Sequence, residues 1–110
     1  MTHTNPRNYP AVVVRWVDGD TVDLDVDLGF HVRGMLRFRL TGINTPERGN
    51  PGWAEATARA RELAPEGRHV LALTRKEGDK YGRWLAHIIL EDGRTVNEVL
   101  LIEGLAVAYQ

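Results

Sequence analysis

The sequence predicts a mainly β, α+β fold: a closed five-stranded barrel with two packed helices. Three observations predict it. Short segments alternate apolar and polar residues with a period of two, as half-buried strands do. Glycine, proline and aspartate punctuate these segments at short intervals. Helical periodicity occurs only twice, once after the third strand pattern and once near the end, which suits a small barrel of the oligonucleotide-binding type.

Residues 1–9 read as a flexible polar tail, and residues 10–110 as one domain. The run 11–17 (AVVVRWV) is apolar and β-branched, hence a strand. Asp18-Gly19-Asp20 is a turn signal. In 21–28 (TVDLDVDL), Val22, Leu24, Val26 and Leu28 share one face and Asp23, Asp25 and Asp27 the other. Gly29–Gly34 reads as the hairpin loop. A third strand over 35–43 then places Leu36, Phe38 and Leu40 opposite Arg37 and Arg39. Residues 44–52, with Pro46, Gly49, Pro51 and Gly52, form a loop. Trp53, Ala56, Ala60 and Leu63 lie on one side of a helix over 53–64, which Pro65 ends. Strands over 69–74 and 84–90 flank a bend at 77–82. Thr95 and Glu98 fit a capping box opening a short helix that ends at Gly104, and Leu105–Tyr109 is a final apolar segment.

The chain of 110 residues fits one domain, and its apolar fraction of 43% with a charged fraction of 26% is ordinary for a water-facing globular fold. No apolar run approaches the ~20 residues of a membrane helix, so no membrane partner is expected. The first ten residues lack an apolar signal core, so a complete chain would be cytoplasmic. The absence of cysteine excludes disulfides and thiolate metal sites. A net charge of -1 argues against binding nucleic acid through a global basic field. A local site, or a bound cation, can still provide the positive charge. Only Lys76 and Lys80 are lysines; the other basic residues are arginines, suited to bidentate phosphate contacts. His31, His69 and His87 have no metal-site spacing.

Four segments carry chemistry. Asp18-Gly19-Asp20-Thr21 can present hard oxygen ligands to Ca²⁺ or Mg²⁺, though alone it reads more simply as a turn. Arg39 can grip a phosphate oxygen, but a cross-strand pair with Asp23 or Asp25 is the simpler account. Asn44-Thr45-Pro46-Glu47 places a carboxylate beside a stiff proline, and reads alternatively as a turn with a solvated glutamate. Asp79-Lys80-Tyr81-Gly82-Arg83 offers two cations and a stacking ring within one bend.

Together and in this order, the segments VDGDTV (17–22), RFRLTGINTPE (37–47), DKYGRWLAHI (79–88) and VNEVLLIEGLAVAY (96–109) resemble the staphylococcal nuclease (thermonuclease) family. The resemblance spans nearly all of the chain from about residue 11. It implies a Ca²⁺-dependent endonuclease, with other divalent cations possible, that hydrolyses DNA and/or RNA to 5′-hydroxyl and 3′-phosphate ends. The expected substrate is single-stranded, and the expected assembly a monomer or weak homo-oligomer. By position, Asp20, Asn44 and the Thr45 carbonyl correspond to metal ligands. Arg39 and Arg83 correspond to the arginines on the scissile phosphate, and Glu47 to the glutamate proposed as general base. Lys80, Tyr81 and Tyr109 correspond to residues lining the nucleotide pocket, and Asp18 lies near the ion.

The sequence departs from the family pattern at Asn44, where the best-known members carry an aspartate. An amide oxygen brings no charge, so weaker ion binding or a changed metal preference is expected. The chain also stops at Gln110, before a C-terminal helix of the type member, and a partner subunit or further residues are expected on that flank. The rival reading is a weak or inactive nucleic-acid-binding module that keeps this fold. Such modules lose the arginines and acids, whereas Asp20, Arg39, Glu47 and Arg83 are all present here.

Overall fold

The alternating segments do pair into a closed barrel. The computed structural model describes residues 7–109. It contains β1 (Arg7–Asp18), β2 (Thr21–Gly29), β3 (Val32–Leu40), β4 (Ile43–Asn44), α1 (Trp53–Leu63), β5 (His69–Thr74), β6 (Trp84–Ile89), α2 (Val96–Ile102) and β7 (Val107–Ala108). Five strands close in the order β1-β2-β3-β6-β5, with β5 returning to β1. All neighbours run antiparallel except β3 and β6, which pair in parallel over Phe38–Leu40 and Trp84–Ala86. Closure of this kind leaves the barrel's central strands without open edges.

The inward faces are those the alternation assigns, except that Leu28, at the open end of β2, is exposed. Val22, Leu24 and Val26 from β2, with Phe38 and Leu40 from β3, are buried beside Val13, Trp16, Ala72 and Ile88. α1 packs on β1 and α2. Trp16, itself buried, donates its indole N–H to the Ala64 carbonyl at 2.8 Å, tying the end of α1 to the barrel. α2 opens on the expected capping box, with Thr95 and Glu98 bonded reciprocally at 3.0 Å each. Its Asn97 is buried and fully used. The amide oxygen accepts from Ile88 N, and the amide nitrogen donates to the Thr41 and Ala86 carbonyls. That side chain fastens α2 to β6 and to the chain leaving β3. No helix among the described residues is long and apolar enough to cross a membrane.

Three boundaries differ from expectation. Residues 7–9, read as tail, belong to β1 and pair with β5; residues 1–6 lie outside the described residues. The Gly29–Gly34 loop is a two-residue turn, Phe30-His31, with both φ angles positive (55° and 61°). Turns of that hand match the strand twist, so the strands extend to meet it. Gly34, read as loop, pairs with Val26 inside β3, where its missing Cβ leaves room for Leu28. Finally, the third strand stops at Leu40. Gly42, at φ 80°, turns the chain, and Ile43–Asn44 pairs with the C-terminal Val107–Ala108 instead.

The outer face of β1–β3 carries a charged triad that the register dictates, since Arg15, Asp23 and Arg37 sit opposite one another on successive strands. Arg37 grips Asp23 through Nε at 2.7 Å and Nη2 at 3.1 Å, and Arg15 approaches to 3.5 Å. The Arg37 hydrogen bond outweighs the upward push of burial and holds the Asp23 carboxyl below its ordinary 3.8. A carboxyl so held binds its proton less readily in the folded state. Its stabilisation is complete above pH values near 3.8 and is lost as pH falls through the lower folded value. Asp23→Asn should therefore cost up to about 1 kcal/mol at neutral pH. Urea-unfolding curves of mutant and parent should converge in acid; a gap that persists at the lowest pH would contradict this role.

Candidate active site

All nine residues singled out by the sequence line one cleft at one end of the barrel. Its volume is about 620 Å³, and Asp20, Arg39, Asn44, Thr45, Glu47, Lys80, Tyr81, Arg83 and Tyr109 border it together with Asp18 and Asp79. They come from the β1–β2 turn, the end of β3, β4 and the chain after it, the bend before β6, and the residue after β7.

Asp20 is the most enclosed carboxylate here, with 6% of its surface exposed. Its Oδ2 accepts the Thr45 backbone N–H at 3.0 Å, and its Oδ1 accepts the Thr21 hydroxyl at 3.1 Å. Arg39 Nη2 stands 3.4 Å from Oδ2. Gly19 makes this placement possible. A Cβ there would lie 3.0 Å from Ala56 Cβ, 3.1 Å from the Ala56 backbone and 3.1 Å from Thr45 Cγ2. The missing side chain lets the turn dock against α1 and the Thr45 segment at once without pushing either away.

Arg39 does not pair with Asp23 or Asp25, which bond Arg37 and Arg33 instead. Its Nη1 donates to the carbonyls of Leu40 at 3.1 Å and Ile43 at 2.9 Å, and its Nη2 donates to Asn44 Oδ1 at 2.5 Å. The guanidinium lies over the Tyr109 ring, 5.0 Å from its centroid. Tyr109 reaches this position because β7 pairs with β4 and the Tyr109 N–H bonds the Gly42 carbonyl at 2.8 Å.

Arg83 is held differently, by a carboxylate. Asp79 Oδ2 accepts from Arg83 Nε at 2.7 Å and lies 2.6 Å from Nη2, while Oδ1 takes the backbone N–H groups of Tyr81 and Arg83. Burial pushes the Asp79 carboxyl up. The Arg83 side chain and the two backbone donors together outweigh that push and hold it below its ordinary value. Gly82, at φ 80°, closes the bend. Tyr81 is exposed and lies under both cations, 5.2 Å from Arg83 and 5.3 Å from Lys80. Asp79, which carries no assigned role in the sequence motif, is signalled there only by its i,i+4 spacing to Arg83.

Glu47 stands exposed on the rim. Asn50 N bonds its carbonyl at 3.0 Å, and Pro46 packs near Gly52 at the start of α1. Asp18, expected near an ion, accepts the Trp53 indole N–H at 2.6 Å.

The donor chemistry fits a hard divalent cation. The oxygens are those of Asp20, the Thr45 carbonyl and the Thr45 hydroxyl, whose Oγ1 is buried without a partner among the described residues. No three His, Cys, Asp or Glu side chains gather as a metal-binding group among the described residues. A cation here would therefore rest on Asp20 and neutral oxygens. The Asn44 oxygen faces Arg39.

A family profile described as "Staphylococcal nuclease homologue" matches residues 37–110, more than half of the chain. The chain belongs to the staphylococcal nuclease family. Curated relatives agree in kind. A protein named micrococcal nuclease from Shigella flexneri is 36% identical over 94% of this chain and 60% of its own length. An uncharacterized endonuclease of Escherichia coli O157:H7 is 32% identical over 89% of this chain and 60% of its own. An SPbeta prophage-derived endonuclease of Bacillus subtilis (strain 168) is 38% identical over 86% of this chain and 33% of its own. The chain thus spans less than two thirds of these relatives. Within the staphylococcal nuclease family's barrel, the tight docking of Gly19 has a measurable consequence. Gly19→Ala should cost about 1–3 kcal/mol by overpacking, read as a lower midpoint in chemical denaturation. An unchanged midpoint would show that α1 yields freely to the added methyl.

Proposed function

We propose that this chain is a metal-assisted phosphodiester hydrolase, an endonuclease domain acting on single-stranded DNA or RNA. The observation that carries the reading is the convergence of Asp20, Arg39, Glu47 and Arg83 on one cleft from four separate segments. Relatives named as nucleases and endonucleases support it.

Hydrolysis builds negative charge on the non-bridging phosphate oxygens. Arg39 and Arg83, each fixed before substrate arrives, donate hydrogen bonds to that charge and so stabilise the transition state more than the ground state. Asp20 and the Thr45 carbonyl would hold Ca²⁺, or another divalent cation, which supplies further positive charge to the phosphate. Glu47, on the rim of the cleft, orients the attacking water and takes its proton. Tyr81, Lys80 and Tyr109 flank the nucleotide, with the exposed Tyr81 ring offering a stacking face to an unpaired base. Departure of the 5′ oxygen would leave 5′-hydroxyl and 3′-phosphate ends.

The test incubates the protein with end-labelled single-stranded DNA and RNA in Ca²⁺, Mg²⁺, Mn²⁺ or chelator. Cleavage is expected with at least one metal and none in chelator. Arg39→Ala and Arg83→Ala should each lower kcat by about 10²–10³-fold, as for the loss of one preorganised donor. Glu47→Gln should lower kcat with little change in KM. Negligible cleavage under all four conditions, matched by Arg39→Ala, would sink the enzyme reading and leave a binding module.

A further inference from the structure

We propose that Asn44 is a positioning residue for Arg39, not a ligand to a metal ion. The inference rests on the reading of the cleft as a phosphodiester site. A guanidinium has five N–H donors in a fixed plane and no acceptor, so the Asn44 atom facing it is the amide oxygen. That oxygen lies 2.5 Å from Nη2, the shortest of Arg39's three hydrogen bonds. Asn44 is exposed, but pairing with Val107 fixes its backbone, so the amide is presented from a strand and not from a loose loop.

Donor arithmetic shows what this contact achieves. Nη1 spends its two hydrogens on the Leu40 and Ile43 carbonyls, and Nη2 spends one on Asn44. Two N–H groups remain, one on Nε and one on Nη2. These are the donors left to meet an incoming phosphate. Tyr109 covers one face of the plane at 5.0 Å. Every acceptor in hydrogen-bond contact with Arg39 is neutral, so its direction is set without a carboxylate. Asp20 Oδ2, at 3.4 Å, makes a charge contact without a hydrogen bond. The same geometry argues against ligation. An oxygen that already accepts from one cation at this distance would bring a second cation against the guanidinium's positive charge.

Two titrations test the assignment. The first measures binding of a single-stranded DNA oligonucleotide in chelator, with no metal present. The second measures Ca²⁺ binding by calorimetry, with no nucleic acid present. Asn44→Ala should weaken oligonucleotide binding about fivefold to tenfold, the scale of one ordinary net hydrogen bond, and leave Ca²⁺ affinity within about twofold. Because Asn44 acts through Arg39, the Arg39→Ala/Asn44→Ala double variant should bind no more weakly than Arg39→Ala alone. A loss of Ca²⁺ affinity of about fivefold or more in Asn44→Ala would make Asn44 a ligand and overturn the proposal. So would unchanged oligonucleotide binding in Asn44→Ala, or losses that add in the double variant. A parent protein that cleaves nothing with any metal, yet shows the expected pattern here, would remove the nuclease reading while the positioning role stands.

Discussion

The carboxylate of Asp20 is the group on which both the fold's end and the cleft depend. A buried carboxylate is costly unless its oxygens are satisfied. Here three separate parts of the chain satisfy them: the Thr21 hydroxyl on β2, the Thr45 backbone N–H after β4, and the Arg39 charge from β3. Each partner is thereby brought to a set place around one point. The backbone of β3 adds to this, with Leu40 N bonding the Asp20 carbonyl at 2.8 Å. Gly19 sets the depth, because a side chain there would press on Ala56 and Thr45 at 3.0–3.1 Å and force the turn or α1 to give way. The turn that closes the first hairpin is also the wall of the cleft, so the stability of one and the geometry of the other cannot be separated.

Around that point the two arginines are held by opposite means. Arg83 is clamped by the Asp79 carboxylate, which fixes its direction but offsets part of its charge. Arg39 is clamped by two backbone carbonyls and an amide, which fix its direction, while the Asp20 carboxylate 3.4 Å away offsets part of its charge. A net charge of -1 is no obstacle to handling phosphate. What matters is placement, since Arg39, Arg83 and Lys80 share the cleft with the carboxylates of Asp18, Asp20, Glu47 and Asp79 and act through aimed donors, not a net positive surplus.

Much of this was legible in the sequence, and the exceptions share one cause. Strict alternation in 21–28 and 36–40 identified the buried faces of β2 and β3, because a period of two leaves one face for the core. Thr95 and Glu98 announced the start of α2, because the capping box is local chemistry. Contacts between distant segments were not legible. Pattern alone offered Arg39 to Asp23 or Asp25, but Asp23 lies opposite Arg37 and bonds it, and Asp25 bonds Arg33 on the diagonal. Asn97 gave no signal as the fastener of α2, since a helical asparagine looks like an exposed residue until a neighbouring strand supplies its partners. The pairing of β4 with β7 was equally hidden, as two residues at each end carry no periodicity.

That small two-stranded pairing explains how the end of the described chain enters the chemistry at all. Val107–Ala108 has exposed side chains and adds nothing to the core, so its pairing with Ile43–Asn44 is a matter of backbone hydrogen bonds and position. Its effect is to lay Tyr109 over Arg39 and to hold Asn44 beside Nη2. The guanidinium is thus held in its plane from one side by the Leu40 and Ile43 carbonyls, at its tip by Asn44, and across its face by an aromatic ring. Removing any one of these would free a rotation that the others restrict only in part. The cost of a phosphate contact includes freezing the donor that makes it, and here the fold bears that cost before any substrate arrives.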